Sequence, residues 1–295
     1  MSGDGLFVRI TTILFPILAI VAAGYFYGRR HKPEMAVANR VNMDVFVPAL
    51  VFGAMAGKPF DLAAFGPLAA GGLAVLLGSG LIAWPVARML GVQWRTFVPP
   101  MMFNNSGNIG LPVAVLTWGE AALPAAVILF MVENTLHFSL GARMLDSQAR
   151  LLSLWRVPVV AAAIAGLIVA ALKVELWQPA VIAIKMLGDV SIPLLLFALG
   201  VRMTDVSFGD SKVAVAGAVL RPLAGMALAW VVAWTLGLAA REAAMLLVFG
   251  ALPPAVLNFL FAERYRQEPE QVASIVLVGN LAALAFLPLA LALAL

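Results

Sequence analysis

The sequence predicts an all-α polytopic membrane protein of ten transmembrane helices, arranged as two inverted five-helix repeats in which helices 4 and 9 are broken by proline and cross. Three observations lead to this prediction: the composition, the positive charge between successive hydrophobic segments, and motifs that recur in the two halves. Of the 295 residues, 63% are hydrophobic and 12% are charged, and the mean hydropathy is +1.01. Because a soluble domain carries about 25% charged residues, this composition indicates a membrane protein.

Hydrophobic segments divide the chain into predicted spans of membrane length, at about 20 residues per crossing. The spans are 8–28, 34–56, 62–88, 95–118, 121–145, 153–172, 178–203, 212–238, 242–262 and 270–294. The first resembles a signal peptide only in length, because Arg29-Arg30-His31-Lys32 follows it in place of a small-residue cleavage site. We therefore expect it to be retained as helix 1.

Positive residues between the spans predict the orientation. Loops that are cytoplasmic if the N-terminus lies outside hold 12 of them: Arg29, Arg30, Lys32, Arg88, Arg95, Arg143, Arg150, Arg156, Arg202, Lys212, Arg264 and Arg266. The opposite side holds 4: Arg9, Lys58, Lys173 and Arg241. Because loops rich in Lys and Arg stay in the cytoplasm, we expect both termini on the outer side of a bacterial inner membrane.

The composition also excludes several classes of function. The chain has no cysteine and two histidines, His31 and His137, which excludes disulfides, thiol catalysis and a histidine-rich metal site. The net charge of +4 resides in short loops and indicates membrane topology rather than nucleic-acid binding. We expect no cofactor, no metal and no enzymatic activity.

The two halves of the chain share motifs in the same order. Asn39–Phe52 aligns with Ile184–Phe197, where a basic residue, Asp, Val, Pro, Leu and Phe recur in register. Gly110–Leu116 likewise aligns with Ala251–Leu257. Each half holds five spans, and an odd number inserts the second half upside down, so an inverted repeat is expected.

Span 4 carries a stretch that lipid does not tolerate, Asn104-Asn105-Ser106-Gly107-Asn108-Ile109-Gly110-Leu111-Pro112. Such polar groups are expected only where they are buried in protein or line a watery cavity. Span 9 has Pro253-Pro254 and Asn258 at the matching place. Since proline lacks an N–H and disfavours helix before it, we expect both spans to break, to meet near the midplane and to offer half-helix N-termini to an anion. The alternative is that the prolines only kink continuous helices.

These residues resemble the auxin efflux carrier family, which includes the plant PIN-FORMED carriers and bacterial relatives assigned to malonate and similar acids. Asn105–Pro112 is similar to the family's Asn-x-x-x-x-Gly-x-Pro stretch. Ala251–Tyr265 is similar to its Leu-Pro-x and Phe-x-x-Ala-x-x-Tyr patterns. Asn39-Arg40 with Val47-Pro48, and Asp189 with Leu199-Gly200, match as well, so the resemblance covers nearly the whole chain.

The resemblance implies two inverted repeats, 1–148 and 149–295. It implies that helices 1, 2, 6 and 7 form a scaffold that dimerises, while helices 3–5 and 8–10 form a transport domain that moves like an elevator. By position, Asn105 falls on the family's crossover asparagine, and Glu133 and Asn134 fall where the plant carriers have polar substrate-facing residues. Asn258, the carboxylate of Glu133 and a short central connection depart from the plant proteins and weigh against auxin as the substrate.

Three charged groups within the spans invite a functional interpretation. A lone arginine at the bilayer centre costs roughly 2.5 kcal/mol or more, so Arg221 should have a partner. It is either a counter-charge for an anion or for Glu133, or it forms a structural ion pair or snorkels toward the cytoplasmic end. Glu133 and His137 are four residues apart and share a helix face, where they either carry a proton or form a satisfied buried contact.

Asp44 and Asp189 recur in the two repeats, each four residues before a proline. They could hold a coupling ion or cap polar backbone groups near the proline. The better supported interpretation is an intrahelical ion pair, because Arg40 and Lys185 each precede their aspartate by four positions.

The leading hypothesis is therefore a secondary transporter that binds a small organic anion within the lipid bilayer and works as a homodimer. The predicted substrate-binding residues are Asn104, Asn105, Ser106, Asn108, Pro112, Glu133, Asn134, Arg221, Pro253, Pro254 and Asn258. The predicted proton or ion coupling residues are Glu133, His137, Asp44 and Asp189, and H⁺ is favoured over Na⁺. The alternatives are a sodium-coupled symporter of the bile-acid type, an integral-membrane enzyme and a non-transporting membrane sensor.

Overall fold

The computed structural model describes residues 3–56, 65–146, 158–204 and 211–295, and every regular element in these ranges is helical. The α-helices are α1 Gly3–His31, α2 Ala36–Val41, α3 Val47–Ala56, α4 Gly66–Met89, α5 Trp94–Met102, α6 Leu111–Trp118, α7 Leu123–Leu136, α8 Ala142–Leu145, α9 Pro158–Ala171, α10 Gln178–Arg202, α11 Ser211–Leu236, α12 Ala240–Ala251, α13 Leu257–Arg264 and α14 Pro269–Ala294. Three π-helical segments, Asn42–Phe46, Ser106–Gly110 and His137–Gly141, and a 3₁₀ turn, Glu120–Ala122, complete the helical elements.

Six of the described helices are long and apolar enough to cross a membrane. They are Gly5–His31, Gly66–Met89, Glu120–Leu145, Gln178–Arg202, Lys212–Leu236 and Pro269–Ala294. Large apolar side chains on their outer surfaces, such as Trp230 and Trp234 at 72% and 79% exposure, suit contact with lipid rather than water. The prediction of an all-α, multi-pass membrane protein is confirmed.

The remaining predicted spans are shorter or interrupted. Residues 36–56 form one helical stretch through the π segment Asn42–Phe46, and α9 covers the described part of span 6. The start of span 3, the start of span 6 and the predicted loop residues Lys58, Arg150 and Arg156 lie outside the described residues.

Spans 4 and 9 are both broken, as the sequence predicts, and the break in span 4 falls at the start of the stretch Asn104–Pro112. The helix stops at Phe103, which is extended at φ −90° and ψ 111°, and resumes at Ser106. Pro112 stands in the second turn of the helix that resumes at Ser106, directly after the π segment Ser106–Gly110, and it does not interrupt that helix. In span 9 the helix stops at Leu252, whose ψ of 141° is the extended value that Pro253 imposes on its predecessor.

The described helices pack in two groups. In one group α1 packs on α10, and α3 packs on both α9 and α10. In the other, α11 contacts α4, α12 and α14, while α5, α7 and α13 pack around them. The two interrupted spans belong to the second group, and the chain breaks face the first.

Candidate functional site

The two chain breaks meet in the interior of the protein. The backbone N–H of Asn105 donates to the carbonyl of Pro253 at 2.8 Å, and the N–H of Ala255 donates to the carbonyl of Phe103 at 2.9 Å. These bonds form an antiparallel bridge between Asn104 and Pro254. We call these two segments, 103–105 and 252–256, the crossover. Backbone groups at each break have no partner within their own helix, and the other break supplies the missing hydrogen-bond partner.

Buried amides hold the crossover in place. The Asn105 side chain donates to Asn280 Oδ1 at 3.3 Å, and the Asn280 amide donates to the carbonyl of Pro254 at 3.1 Å. Asn104 donates to the carbonyl of Phe249 at 2.8 Å. These bonds satisfy carbonyls that the helix ends leave without partners, which explains why asparagines are tolerated at this depth.

A cavity of about 390 Å³, which we call the crossover cavity, opens beside the chain breaks. It lies within the range of small-molecule sites, about 300 to 1,000 Å³. The lining residues are Ala36, Asn39, Met43, Asn104, Asn105, Gly107, Asn108, Phe130, Glu133, Asn134, His137, Phe138, Leu195, Ala198, Leu199, Arg202, Ala255, Val256, Leu257 and Leu260. The lining combines amide groups, the charged side chains of Glu133 and Arg202, and apolar side chains, which suits a small solute with a polar head.

The N-termini of two half-helices face this cavity. Gly107 and Asn108, at the start of the helix that resumes after the first break, line it. Val256 and Leu257, at the start of α13, line it as well. The first N–H groups of a helix have no intrahelical partner and carry partial positive charge, so both termini favour a bound anion.

Glu133 is buried in the wall of the crossover cavity, with 3% of its surface exposed. Its Oε1 lies 3.0 Å from His137 Nδ1, and its Oε2 accepts a hydrogen bond from Ser106 Oγ at 3.2 Å. The His137 ring stacks on Phe103 at 4.2 Å between centroids. The predicted Glu133–His137 contact is present, and Ser106 connects it to the crossover.

The other predicted binding residues divide into two sets. Asn108 and Asn134 line the crossover cavity, and the Asn134 amide also donates to the carbonyl of Phe130. Pro112, Pro253, Pro254, Asn258 and Arg221 lie outside its wall. Pro253 and Pro254 contribute carbonyls to the crossover, and the Asn258 amide donates to the carbonyl of Phe103 at 3.0 Å, so these residues support the site from behind.

Arg221 is 1% exposed and makes no direct contact with Glu133 within the described residues. Its Nη1 donates to the carbonyl of Gly250 at 2.8 Å, near the C-terminal end of α12. A cation is favoured at the carbonyl end of a helix, and this end is cut off by the chain break. The position of Arg221 therefore supports a structural role at the end of α12 rather than direct contact with a solute.

Asp44 and Asp189 are exposed and lie away from the crossover cavity. Lys185 contacts Asp189 at 3.1 Å, as predicted, and also Glu120 at 3.1 Å. The matching pair between Arg40 and Asp44 does not form within the described residues, so that prediction is wrong. Asp44 lies in the π segment Asn42–Phe46, whose wider turn removes the i, i+4 alignment of an α-helix.

Sequence reasoning missed several residues of the cavity wall. Arg202, Phe130, Phe138 and Asn39 line the crossover cavity, and Arg202 also lines a neighbouring cavity of about 370 Å³ beside α14. Arg202 is the last residue of α10, and the sequence analysis counted it among the loop arginines that predict the orientation. Nothing in its local sequence distinguishes it from those other arginines. Among the described residues of the crossover cavity, it is the one side chain with a permanent positive charge.

Residues 147–291 match a family model described as membrane transport protein. No curated protein matches the chain. The family match covers the second half of the chain, including the second break and its amide partners. It agrees with the resemblance to the auxin efflux carriers found in the sequence, and it shows that residues 147–291 are similar to a family of membrane transport proteins.

Proposed function

We propose that this membrane transporter is a secondary carrier of small organic anions, carboxylates such as malonate, that binds them in the crossover cavity. The observation that carries the proposal is the convergence of two half-helix N-termini on a cavity whose polar lining includes Asn104, Asn105 and Asn108. N–H groups and amides recognise a carboxylate, while Phe130 and Leu199 leave an apolar wall for the rest of the solute.

Matching close contacts support the inverted repeat. A Cβ on Gly24 of α1 would lie 2.1 Å from the carbonyl oxygen of Phe197, and a Cβ on Gly166 of α9 would lie 3.0 Å from that of Phe52. Phe52 and Phe197 are the residues that align when the halves are superposed in sequence. Helices 1 and 6 of the two proposed repeats therefore touch helices 7 and 2 at equivalent points.

The two packing groups support an elevator movement. In this proposal α1, α3, α9 and α10 form the scaffold, which dimerises, and the helices around α11 carry the crossover. The cavity lies between the groups, since Leu195, Leu199 and Arg202 of α10 face Asn104 and Glu133 across it. Sliding of one group along the other would move the bound anion between the two sides of a bacterial inner membrane, with both termini outside.

Glu133 and His137 support coupling to protons. A buried carboxyl group that can pass its proton to an adjacent imidazole is suited to load and release H⁺ during transport. Sodium coupling of the bile-acid type is the alternative. Uptake of malonate into proteoliposomes that persists without sodium and collapses with a protonophore would support proton coupling, and the reverse result would support sodium.

Replacing Asn105 with alanine tests the proposed site. The variant loses the bond to Asn280 and an amide of the cavity wall, while the backbone bond to Pro253 can remain. We expect malonate flux in proteoliposomes to fall by about tenfold or more, the effect of about 1.4 kcal/mol. Asn42→Ala is the control, because Asn42 is equally buried but lies outside the cavity. Equal flux from both variants would contradict the site.

Replacing Arg202 with glutamine tests the charge of the anion. Since Arg202 supplies the permanent positive charge of the cavity wall, we expect the Kd of malonate to rise about tenfold, and the difference from wild type to shrink at high salt as charges are screened. Isothermal titration calorimetry in detergent, at low and at high salt, measures the Kd and its salt dependence. The control is Arg264→Gln, which removes an exposed arginine at the end of α13. An unchanged Kd in Arg202→Gln would exclude this role.

A further inference from the structure

His137 lies in the wall between the crossover cavity and a second cavity of about 10 Å³, which we call the His137 cavity. Asn258 and Arg95 also line the small cavity. A space of about 10 to 15 Å³ on this measure holds one water molecule. His137 is the one residue that lines both of these cavities, within the part of the chain that the structure describes.

Two of the residues that line the His137 cavity each have a buried polar atom without a hydrogen-bond partner among the described residues. His137 is 1% exposed, and its Nε2, on the side of the ring away from Glu133, has no hydrogen-bond partner among the described residues. Asn258 is 3% exposed, and its amide nitrogen donates to the carbonyls of Phe103 and Ala255 at 3.0 and 2.9 Å. These two bonds fix the amide orientation and leave Asn258 Oδ1 as an acceptor without a described partner.

The chemistry of these atoms selects the ligand. When Glu133 is ionised and His137 is neutral, Nδ1–H donates to the carboxylate, so Nε2 is an acceptor like Asn258 Oδ1. A ligand of one-atom size that donates two hydrogen bonds is a water molecule. A metal cation does not suit the space, because the positive guanidinium of Arg95 belongs to its wall.

We propose that a bound water molecule joins His137 Nε2 to Asn258 Oδ1, and that this water, His137 and Glu133 form a proton path to the crossover. A proton that arrives on the water passes to Nε2 while the Nδ1 proton passes to Glu133 Oε1. The imidazole stays neutral over the complete step, and Glu133 gains one proton. The reverse sequence returns the proton to the small cavity.

The path begins away from the anion route. Arg95 is exposed at the start of α5, and Leu145, at the end of α8, lines the same small cavity. Protons thus reach Glu133 from this end of α5 and α8, whereas the anion enters through the crossover cavity. This inference rests on the proposed carrier function. In that function, the separate proton entry lets Glu133 gain or lose its proton while the anion occupies the crossover cavity.

Several charged groups act on the path. Arg95 of α5 faces the small cavity, Arg202 of α10 faces the crossover cavity, and Arg221 of α11 interacts electrostatically with Glu133. Among the described residues, α8, α13 and α14 contribute no charged side chain to either cavity.

Histidine NMR tests the water site directly. The chain has two histidines, so His31→Gln leaves His137 as the single imidazole. In ¹⁵N-histidine protein we expect neutral His137 to carry its proton on Nδ1, with Nε2 shifted as a hydrogen-bond acceptor, and Asn258→Leu to move the Nε2 signal. Ser79→Ala, which removes a buried hydroxyl on α4, is the control that leaves the Nε2 signal unchanged.

A proton on Nε2 of neutral His137, or an Nε2 signal that is insensitive to Asn258→Leu, would overturn the proposal. The position of the proton on neutral His137 is measured without changing Asn258, so this part of the test does not depend on the folding of Asn258→Leu.

Transport separates this proposal from the proposed function. Malonate counterflow and malonate uptake driven by an imposed pH gradient are measured in the same proteoliposomes. We expect the ratio of pH-driven uptake to counterflow to fall about tenfold in His137→Gln and to stay at the wild-type value in Ser79→Ala. Wild-type protein without counterflow of malonate or other carboxylates would overturn the carrier function. Normal counterflow with an unchanged ratio in His137→Gln would overturn the proton path alone.

Discussion

Replacing Glu133 with glutamine is expected to abolish malonate accumulation driven by a pH gradient, down to the level of protein-free liposomes. Glu133 is the one carboxylic acid in the described wall of the crossover cavity, and its two oxygens contact His137 and Ser106. Glutamine keeps the size and one oxygen of the side chain but cannot take up or release a proton. The measurement is uptake of radiolabelled malonate into proteoliposomes with an imposed pH gradient of either sign.

Glu120→Gln is the matched control for this experiment. Glu120 is exposed and pairs with Lys185 at the surface, far from the proposed proton path, so the variant should accumulate malonate as wild type does. If Glu133→Gln accumulates malonate to the wild-type level, Glu133 does not carry the coupled proton. Loss of accumulation in both variants would point to general damage rather than to the carboxyl group.

The second large effect is expected at the contact between α11 and α12. A Cβ on Gly225 would lie 2.0 Å from the carbonyl oxygen of Gly250 and 2.5 Å from Arg221 Nη1. Gly225→Val must therefore separate two helix backbones and disturb the Arg221–Gly250 hydrogen bond. Overpacking costs typically about 1 to 3 kcal/mol, and more where backbone rather than a side-chain end must move, so we expect a large fall in Tm or loss of the folded protein from the membrane.

Gly217→Ala on the same helix is the control. Its Cβ would approach Met101 Cε at 3.0 Å and Ile275 Cγ2 at 3.2 Å, which are side-chain ends that can shift. A thermal-shift assay in detergent compares the two variants with wild type. A Tm for Gly225→Val equal to that of Gly217→Ala would show that α11 and α12 do not touch through backbone atoms.

Several features of the site could be predicted from local sequence. The amides of Asn104, Asn105 and Asn108 within a span, and the tandem Pro253-Pro254, indicate interrupted helices, because lipid offers their polar groups no partners. The four-residue spacing of Glu133 and His137 predicts their contact, since the helix itself supplies the geometry. The same rule predicts Lys185–Asp189 correctly and fails for Arg40–Asp44, where a π segment changes the turn.

Other features depend on which helices become neighbours. Arg221 is conspicuous in the sequence, yet its partner is a carbonyl at the end of α12 rather than an acid or a solute. Arg202 has the local sequence of a loop arginine, and only the packing of α10 beside the crossover brings it to the cavity. Asn280 completes the crossover from α14, a contact made 175 positions away from Asn105 in the chain.

By itself, the sequence determined that this protein is a multi-pass, all-α membrane protein with two broken spans, because hydropathy, proline and buried amides act over a few residues. The tertiary structure alone decided that the breaks bond to each other, that Glu133 meets Ser106, and that His137 separates two cavities. These contacts join residues of different helices, and a buried polar atom acquires such a partner only when those helices have packed together.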